Sequence, residues 1–232
     1  MIVLNIETST DSCSAAITID GVAVAVAANL SAANHASELP VFIEQLLHEA
    51  QEKGWHLDAV ALSQGPGSYT GLRIGASIAK GICYGLNIPL IPIDTLQVLC
   101  ASLQHTVEEG ALLCPMLDAR RMEVYTALYE QTDNEGIKPL SHIEAKVIDE
   151  HAFAEQLQQQ KIVFFGNGAM KCTKVITTPN ARFVENIVPQ AQYMGALAEA
   201  QTNRLAVKEM AYYEPFYLKE FVAAPSHIKG LK

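Results

Sequence analysis

The segment Ser63-Gln64-Gly65-Pro66-Gly67-Ser68-Tyr69-Thr70-Gly71-Leu72-Arg73-Ile74-Gly75 decides the fold class of this chain. The mostly apolar run at residues 58–62 (Asp-Ala-Val-Ala-Leu) precedes it and predicts a buried strand, while residues 70–86 follow the pattern of a helix. A strand, a glycine-rich turn and a helix in this order are typical of α/β units that hold an anion near backbone amides. The segment matches neither the dinucleotide fingerprint nor the P-loop, so anion contact and a simple chain reversal both stay open.

The predicted helix carries a face with almost no side chains. Gly71, Gly75 and Ala79 recur at intervals of four residues, which places them on one side of a helix. Because glycine costs about 1 kcal/mol relative to alanine inside a helix, its use here indicates close packing. We expect another backbone or a sheet to press against this face, in preference to a ligand.

The chain on either side extends the α/β pattern into a first lobe. Residues 2–6, 13–19 and 22–28 read as three antiparallel strands, and Asp20-Gly21 is a hairpin signal between the last two. Residues 37–52 predict an amphipathic helix that begins at Ser37. Beyond the glycine-rich helix, residues 89–93 predict a strand, and Asp94 is expected to cap a helix that reaches about residue 104.

The same plan restarts in the second half. We predict strands at 112–117, 123–129 and 161–165, a loop at 132–136, and helices near 150–159 and 189–204. This order predicts an α/β protein of two similar lobes with a cleft between them, divided into residues 1–104 and 105–232. The C-terminal tail at 223–232 is expected to be mobile, to be ordered by a partner or to return to the first lobe.

Composition excludes several classes of protein. The chain has 25 acidic and 16 basic side chains, a net charge of −9, and no basic cluster longer than Arg120-Arg121, so independent binding to nucleic acid is disfavoured. Five scattered cysteines without a Cys-x-x-Cys pair indicate neither a disulfide framework nor a zinc cage. With no basic leader and no apolar run of about 20 residues, we expect a cytoplasmic protein without a membrane segment.

Three motifs together closely resemble the TsaB (YeaZ) family: Ile2-Val3-Leu4-Asn5-Ile6-Glu7-Thr8-Ser9-Thr10, residues 63–75, and Gly166-Asn167-Gly168-Ala169. The resemblance covers essentially the whole chain. It implies the two-lobed fold shared by actin, sugar kinases and Hsp70 (the ASKHA fold), in which each lobe is a mixed sheet with flanking helices.

The resemblance also implies a function. The chain would be the non-catalytic partner of TsaD, joined by the ATPase TsaE, in transfer of a threonylcarbamoyl group from threonylcarbamoyl-AMP to the adenosine beside the tRNA anticodon. Transfer-RNA would be reached only through the complex, and the free chain would form a homodimer. No cofactor is required of this chain, although weak ATP or ADP binding at the partner interface is expected.

Two segments are candidates for nucleotide contact. The first is Glu7, Thr8, Ser9, Thr10 and Asp11, which offers hydroxyls and amides between two strands, and the second is Gly166, Asn167 and Gly168 after a strand. The alternatives are a polar hairpin that satisfies its own backbone for the first segment and a plain strand-to-helix turn for the second; each alternative is favoured over nucleotide contact, the hairpin only slightly. No metal site and no catalytic residue are predicted, because no two histidines lie four apart and no serine stands in Gly-x-Ser-x-Gly.

Two helices are candidates for the partner interface. Their candidate residues are Leu39, Ile43, Leu46 and Leu47 on the first helix and Arg73, Ile74 and Ile78 on the second. The apolar positions fit a core equally well. Arg73 needs a partner for its charge, with an acid of the same chain as the default and a partner subunit as the alternative.

Two rival functions stay open. One is an ATP-dependent phosphotransferase or ATPase of the same fold that uses Asp11 or Glu7 near magnesium. The other is a metallopeptidase-like hydrolase, which the missing His-x-x-x-His pair disfavours.

Overall fold

The computed structural model describes residues 1–31, 33–103, 107, 110–132 and 136–219. Their elements form two mixed sheets with helices packed on them. The elements of the first sheet and its helices are β1 (Ile2–Glu7), β2 (Cys13–Ile19), β3 (Val22–Asn29), α1 (His35–Lys53), β4 (Ala59–Gly65), α2 (Tyr69–Leu86), β5 (Leu90–Asp94) and α3 (Thr95–Ser102).

The first sheet has the strand order β3-β2-β1-β4-β5. Strands β1, β2 and β3 are antiparallel neighbours, and β4 and β5 continue the sheet in parallel with β1. The predicted three-strand opening is therefore confirmed. Asp20 and Gly21 adopt positive φ values of 50° and 82° at the β2–β3 turn, as the two central residues of a type I′ hairpin require.

Helices α1 and α2 cover one face of this sheet. Helix α1 begins at His35, two residues before the predicted start, and its first turn is tied by Glu38, whose carboxylate accepts the Asn34 amide at 3.0 Å. It ends at Gly54, whose φ of 69° is the left-handed form common after helices. Asp94 does precede α3, but its carboxylate accepts a hydrogen bond from Gln64 Nε2, so the predicted side-chain cap does not form.

The described residues of the second half contain a sheet of seven strands. Its elements are β6 (Leu112–Asp118), β7 (Glu123–Thr126), β8 (Tyr129–Thr132), β9 (Gly136–Pro139), β10 (Glu144–Val147), α4 (Ala154–Gln159), β11 (Ile162–Phe165), β12 (Ala181–Val184), α5 (Gly195–Ala200) and α6 (Val207–Met210). The path runs β10-β7-β6-β11-β12, and β8 and β9 form a side branch from β6.

Three predictions for this half are corrected. The strand at 123–129 is two strands, because β7 pairs with β10 while β8 turns to pair with β9. The helix near 150–159 contracts to α4, which Phe153 precedes at a left-handed φ of 62°. The helix at 189–204 is a 3₁₀ turn followed by the short α5, and Gly195, a poor helix former, lies in the middle of the predicted range. A Cβ on Gly195 would be 2.4 Å from the Gly21 carbonyl oxygen, so this position packs on the β2–β3 turn.

Residues 191–205 return to the first sheet. Ala191, Met194 and Ala198 pack on the face opposite α1 and α2, in one buried cluster with Val3 and Ile91. Leu90 and Leu205 exchange backbone hydrogen bonds. Residues 191–205 thus belong to the first lobe by packing.

The division at 104/105 stays a prediction, and the tail at 223–232 lies outside the described residues.

No helix within the described ranges has both the length and the apolar character needed to cross a bilayer.

Candidate functional site

A polar cleft of about 540 Å³ separates the two sheets. Its walls come from the β1–β2 loop, the glycine-rich turn before α2, the β6–β7 turn and the loop after β11. A strap of residues 216–219 crosses it. The polar residues that line the cleft are Ser9, Thr10, Asp11, Ser68, Thr70, Asp118, Arg120, Asn167 and Lys219.

The β1–β2 loop packs directly on the start of α2, which explains the glycines there. A Cβ on Gly71 would lie 2.1 Å from the Thr8 carbonyl oxygen, and one on Gly67 would lie 2.3 Å from that of Ser9. The Thr8 hydroxyl donates to the Gly71 carbonyl at 2.9 Å, and the Ser68 amide donates to Ser9 O at 2.6 Å. The backbone predicted to press on the glycine face is therefore this loop.

The first predicted nucleotide segment divides into a buried part and a part that lines the cleft. Glu7 and Thr8 are fully buried, whereas Ser9, Thr10 and Asp11 reach the cleft. Glu7 Oε1 accepts the Ser9 amide at 2.6 Å, while Glu7 Oε2 and Ser9 Oγ have no hydrogen-bond partner among the described residues. Burial raises the pKa of the Glu7 carboxyl, and the hydrogen bond from Ser9 opposes that shift.

This burial limits the chemistry of Glu7. A carboxyl with no exposed surface cannot ligate a metal ion in the cleft without a movement of β1. Asp11 is exposed at the cleft and is the carboxylate of this segment that a ligand can reach.

The second predicted segment forms a tight turn after β11. Gly166 has a φ of 104°, and a Cβ there would lie 2.4 Å from the Met116 carbonyl oxygen. Asn167 Oδ1 accepts the Asp118 amide at 2.9 Å, and the Gly168 amide donates to Met116 O. The turn thus holds β11 against β6, which fits the favoured interpretation, and it leaves the amide nitrogen of Asn167 for a ligand in the cleft.

The charges of the cleft are mixed. Asp118 pairs with Lys171, and Lys219 of the strap pairs with Glu123. Arg120 and Arg121 occupy the β6–β7 turn with positive φ values of 69° and 50°, a form that costs roughly 1–2 kcal/mol for residues other than glycine. Hydroxyls, the Arg120 guanidinium and the first amides of α2 together suit a small polar or anionic ligand.

The strap was not predicted from the sequence. The Phe216 amide donates to Gln64 O at 2.7 Å, and the rings of Tyr69 and Tyr217 lie 5.0 Å apart. The two aromatic residues at 216–217 were the available signal, because aromatic rings supply large packing areas.

Arg73 pairs with the strap, which corrects the prediction that an acid of the same chain would be its partner. Its Nε donates to the Tyr217 hydroxyl at 3.2 Å, and its guanidinium carbon lies 4.4 Å from the centre of the Tyr69 ring. The side chain is exposed. Because the rings and hydroxyl partner the charge, no carboxylate is needed.

The predicted interface residues divide into a buried group and a half-buried group. Leu39, Ile43 and Leu46 are at most 5 % exposed and face the core of their own lobe, so their assignment to a partner interface is corrected. Leu47, Ile74 and Ile78 are half-buried against that core. The outer face of α1 instead presents Val41, which is 58 % exposed, with polar neighbours.

Metal ligands do not converge in the part of the chain that the structure describes, since no group of three or more histidine, cysteine, aspartate or glutamate side chains lies together there. His35 contacts the Ser12 carbonyl oxygen through Nε2, and His48 lies on the exposed side of α1 beside Glu52.

Comparison with known proteins gives consistent matches. The family model described as "TsaD: tRNA N6-adenosine threonylcarbamoyltransferase" matches residues 22–226. A tRNA threonylcarbamoyladenosine biosynthesis protein TsaB of Haemophilus influenzae is 27% identical over 94% of each chain. The protein of that name from Escherichia coli is 32% identical over 68% of this chain and 67% of its own.

Solved structures show the same fold. A crystal structure of a Pseudomonas aeruginosa protein described as similar to peptidase YEAZ superposes with a TM-score of 0.78 at 24% identity, over 94% of this chain and 99% of the other. YeaZ from Pseudomonas aeruginosa superposes with a TM-score of 0.72 at 23% identity over the same shares. The predicted two-lobed α/β fold class is confirmed.

Proposed function

Because this chain belongs to the TsaB (YeaZ) family, within the broader threonylcarbamoyltransferase family whose model it matches, we propose that it takes part in making threonylcarbamoyladenosine in tRNA. Its role is that of a non-catalytic subunit that binds and organises TsaD, with TsaE, for transfer of the threonylcarbamoyl group. The observation that carries the proposal is the match over 94% of both this chain and a curated TsaB relative.

Several groups around the cleft are already engaged within the chain, which supports a role without catalysis; Asp11 is the exposed carboxylate on which the ATPase rival depends. Glu7, the first carboxylate of the β1–β2 segment, is enclosed and holds its proton more tightly than usual. Asp118 is paired with Lys171, and the Asn167 oxygen is used by the backbone. All five cysteines are buried, so none is available as a nucleophile. We place the protein in the cytoplasm, where reduced thiols are maintained.

The proposed contact with TsaD uses the outer faces of α1 and α2. Val41 is a large apolar side chain in water on α1, and Arg73 and Ser77 are exposed on the neighbouring α2. Burial of Val41 against a partner would remove apolar surface from water, which favours association. Any ATP or ADP is proposed to bind weakly at this interface, and the free chain is proposed to form a homodimer through the same faces.

The first experiment is reconstitution with each protein omitted in turn. This chain, TsaD, TsaE, tRNA and threonylcarbamoyl-AMP are mixed, and incorporation into tRNA is measured. We expect transfer to stop without this chain and to be absent when this chain acts alone. Transfer that is indifferent to the chain would refute the proposal, and magnesium-dependent ATP turnover by the isolated chain would favour the ATPase rival.

A pair of variants locates the interface. Val41→Glu places a charge on the outer face of α1, while Val147→Glu makes the same change on β10, where Val147 is 66 % exposed. Both should fold, because neither residue is in the core. Since an unpaired charge buried in a contact costs about 3 kcal/mol or more, we expect Val41→Glu to weaken TsaD binding by tenfold or more. Equal binding by the two variants would place the interface elsewhere.

A further inference from the structure

An apolar groove of about 970 Å³ lies between the C-terminal half of α2 and the short α6. We call it the α2–α6 groove. It is at the opposite end of α2 from the cleft, so it is separate from the site described above. Its walls include Lys80, Gly81, Tyr84, Ile88, Val207 and Met210.

The groove leaves a large aromatic side chain in water. Tyr84 is 78 % exposed on its wall, beside the apolar wall residues Ile88, Val207 and Met210. Apolar surface gathered around a concavity marks a binding site more often than a scattered exposed residue does.

Packing within the described part of the chain does not explain the glycines of this half of α2. A Cβ on Gly81 or on Gly85 would meet none of the described residues within 4 Å, whereas a Cβ on Gly71 or Gly75 would collide with Thr8. Glycine weakens a helix interior, so its use at Gly81 suits the close approach of something outside the chain. Gly81 lines the groove and Gly85 does not.

The charge at the groove identifies the occupant. Lys80 and Lys208 line the groove in a chain whose net charge is −9. Among the described residues neither lysine forms an ion pair, although the Lys80 ammonium lies 5.7 Å from the centre of the Tyr213 ring. Two positive charges on an apolar groove complement a segment with apolar side chains and flanking carboxylates.

Two other occupants fit less well. Residues 220–232 of this chain carry two lysines and one glutamate, so they would add positive charge to a positive site. A second copy that docked groove to groove would bring two pairs of lysines together. We propose that the α2–α6 groove binds an acidic, apolar segment of a partner protein, with its apolar side chains over Gly81 and its carboxylates on Lys80 and Lys208.

The test is a selection of displayed random peptides on the full chain. We expect selected peptides to share aromatic or aliphatic residues flanked by aspartate or glutamate. The Gly81→Phe variant fills the groove from a position where an added Cβ meets none of the described residues within 4 Å, and it should weaken a selected peptide by about tenfold or more. The matched control is Gly85→Phe, which adds the same ring to the same helix outside the groove and should leave binding unchanged.

Charge reversal supplies a readout that does not depend on groove shape. The double variant Lys80→Glu/Lys208→Glu should bind the selected peptide more weakly than the original chain does. It should bind more tightly a second peptide in which lysines replace the carboxylate residues of the selected one. The exposed Lys174→Glu is the control and should change neither. Circular dichroism and thermal unfolding establish that each variant is folded.

Several outcomes would overturn the proposal. They are failure of the selection to yield a consensus, selected peptides without an acidic preference, and equal binding to Gly81→Phe and the original chain. Peptide binding that appears only after residues 220–232 are deleted would assign the groove to the tail. Self-association that Gly81→Phe abolishes and Gly85→Phe preserves would assign it to a second copy.

Discussion

Replacing Gly71 by alanine should destabilise the protein, although alanine favours helices. The added Cβ would lie 2.1 Å from the Thr8 carbonyl oxygen and 3.3 Å from the carbonyl carbon. The obstacle is backbone at the end of the central strand β1, which cannot move aside as the tip of a flexible side chain can. Either α2 or the β1–β2 loop must shift.

The expected size follows from three contributions. Overpacking costs about 1–3 kcal/mol, and a shift weakens the 2.9 Å hydrogen bond from the Thr8 hydroxyl to Gly71 O, which is worth about 1 kcal/mol. The gain in helix propensity is at most about 1 kcal/mol. The net loss in the free energy of unfolding is about 2 kcal/mol, which corresponds to a fall in Tm of about 4–8 °C for a chain of this size.

Gly81→Ala and Gly85→Ala are matched controls in the same helix. Both positions have open space around the new Cβ, so only the propensity gain remains and stability should rise by about 0.5–1 kcal/mol. Urea unfolding followed by circular dichroism measures all three variants. If Gly71→Ala is as stable as Gly81→Ala, the close contact between α2 and the β1–β2 loop is wrong.

Three further predictions test the buried groups and the strap. Glu7→Gln should be more stable than the original chain at neutral pH. Burial raises the folded-state pKa of Glu7, so its destabilising effect is absent below the unfolded pKa of 4.5 and grows as the pH rises through the folded pKa. A difference in the free energy of unfolding between the two proteins that is the same at every pH would contradict this. The five cysteines are buried, and burial raises the pKa of Cys13, Cys83 and Cys114 to about 12, so a thiol reagent should label them only after unfolding, as counted by mass spectrometry. Tyr217→Ala removes the partner of Arg73 and Tyr69 and should speed proteolysis within residues 211–219; an unchanged cleavage rate would show that the strap is held by other contacts.

The sequence predicted the local elements well where the pattern was strong. The Asp20-Gly21 hairpin, the strand before the glycine-rich turn and helix α2 all lie where expected, because turn chemistry and hydrophobic periodicity act over a few residues. The weaker signals failed. Residues 189–204 have the composition of a helix, but they form a 3₁₀ turn and a short helix that begins at Gly195, which packs against Gly21.

The candidate site was predicted in part. Ser9, Thr10, Asp11 and Asn167 do meet at one cleft, which the order of the elements implied. Glu7 does not reach the cleft, and Leu39, Ile43 and Leu46 face the core, because an apolar face has the same pattern whether it packs on its own sheet or on another protein. Nothing in the sequence indicated that Tyr217 would partner Arg73.

What the sequence by itself determined is the set of elements, the glycines that allow close packing and the family to which the chain belongs. Those properties depend on neighbours along the chain or on the motif as a whole. Tertiary structure alone decided which side chains are buried, how the strap of residues 216–219 crosses the cleft, and where Lys80 and Lys208 flank an open groove. Such contacts join residues far apart in the chain, as Arg73 and Tyr217 are, and local periodicity carries no record of them.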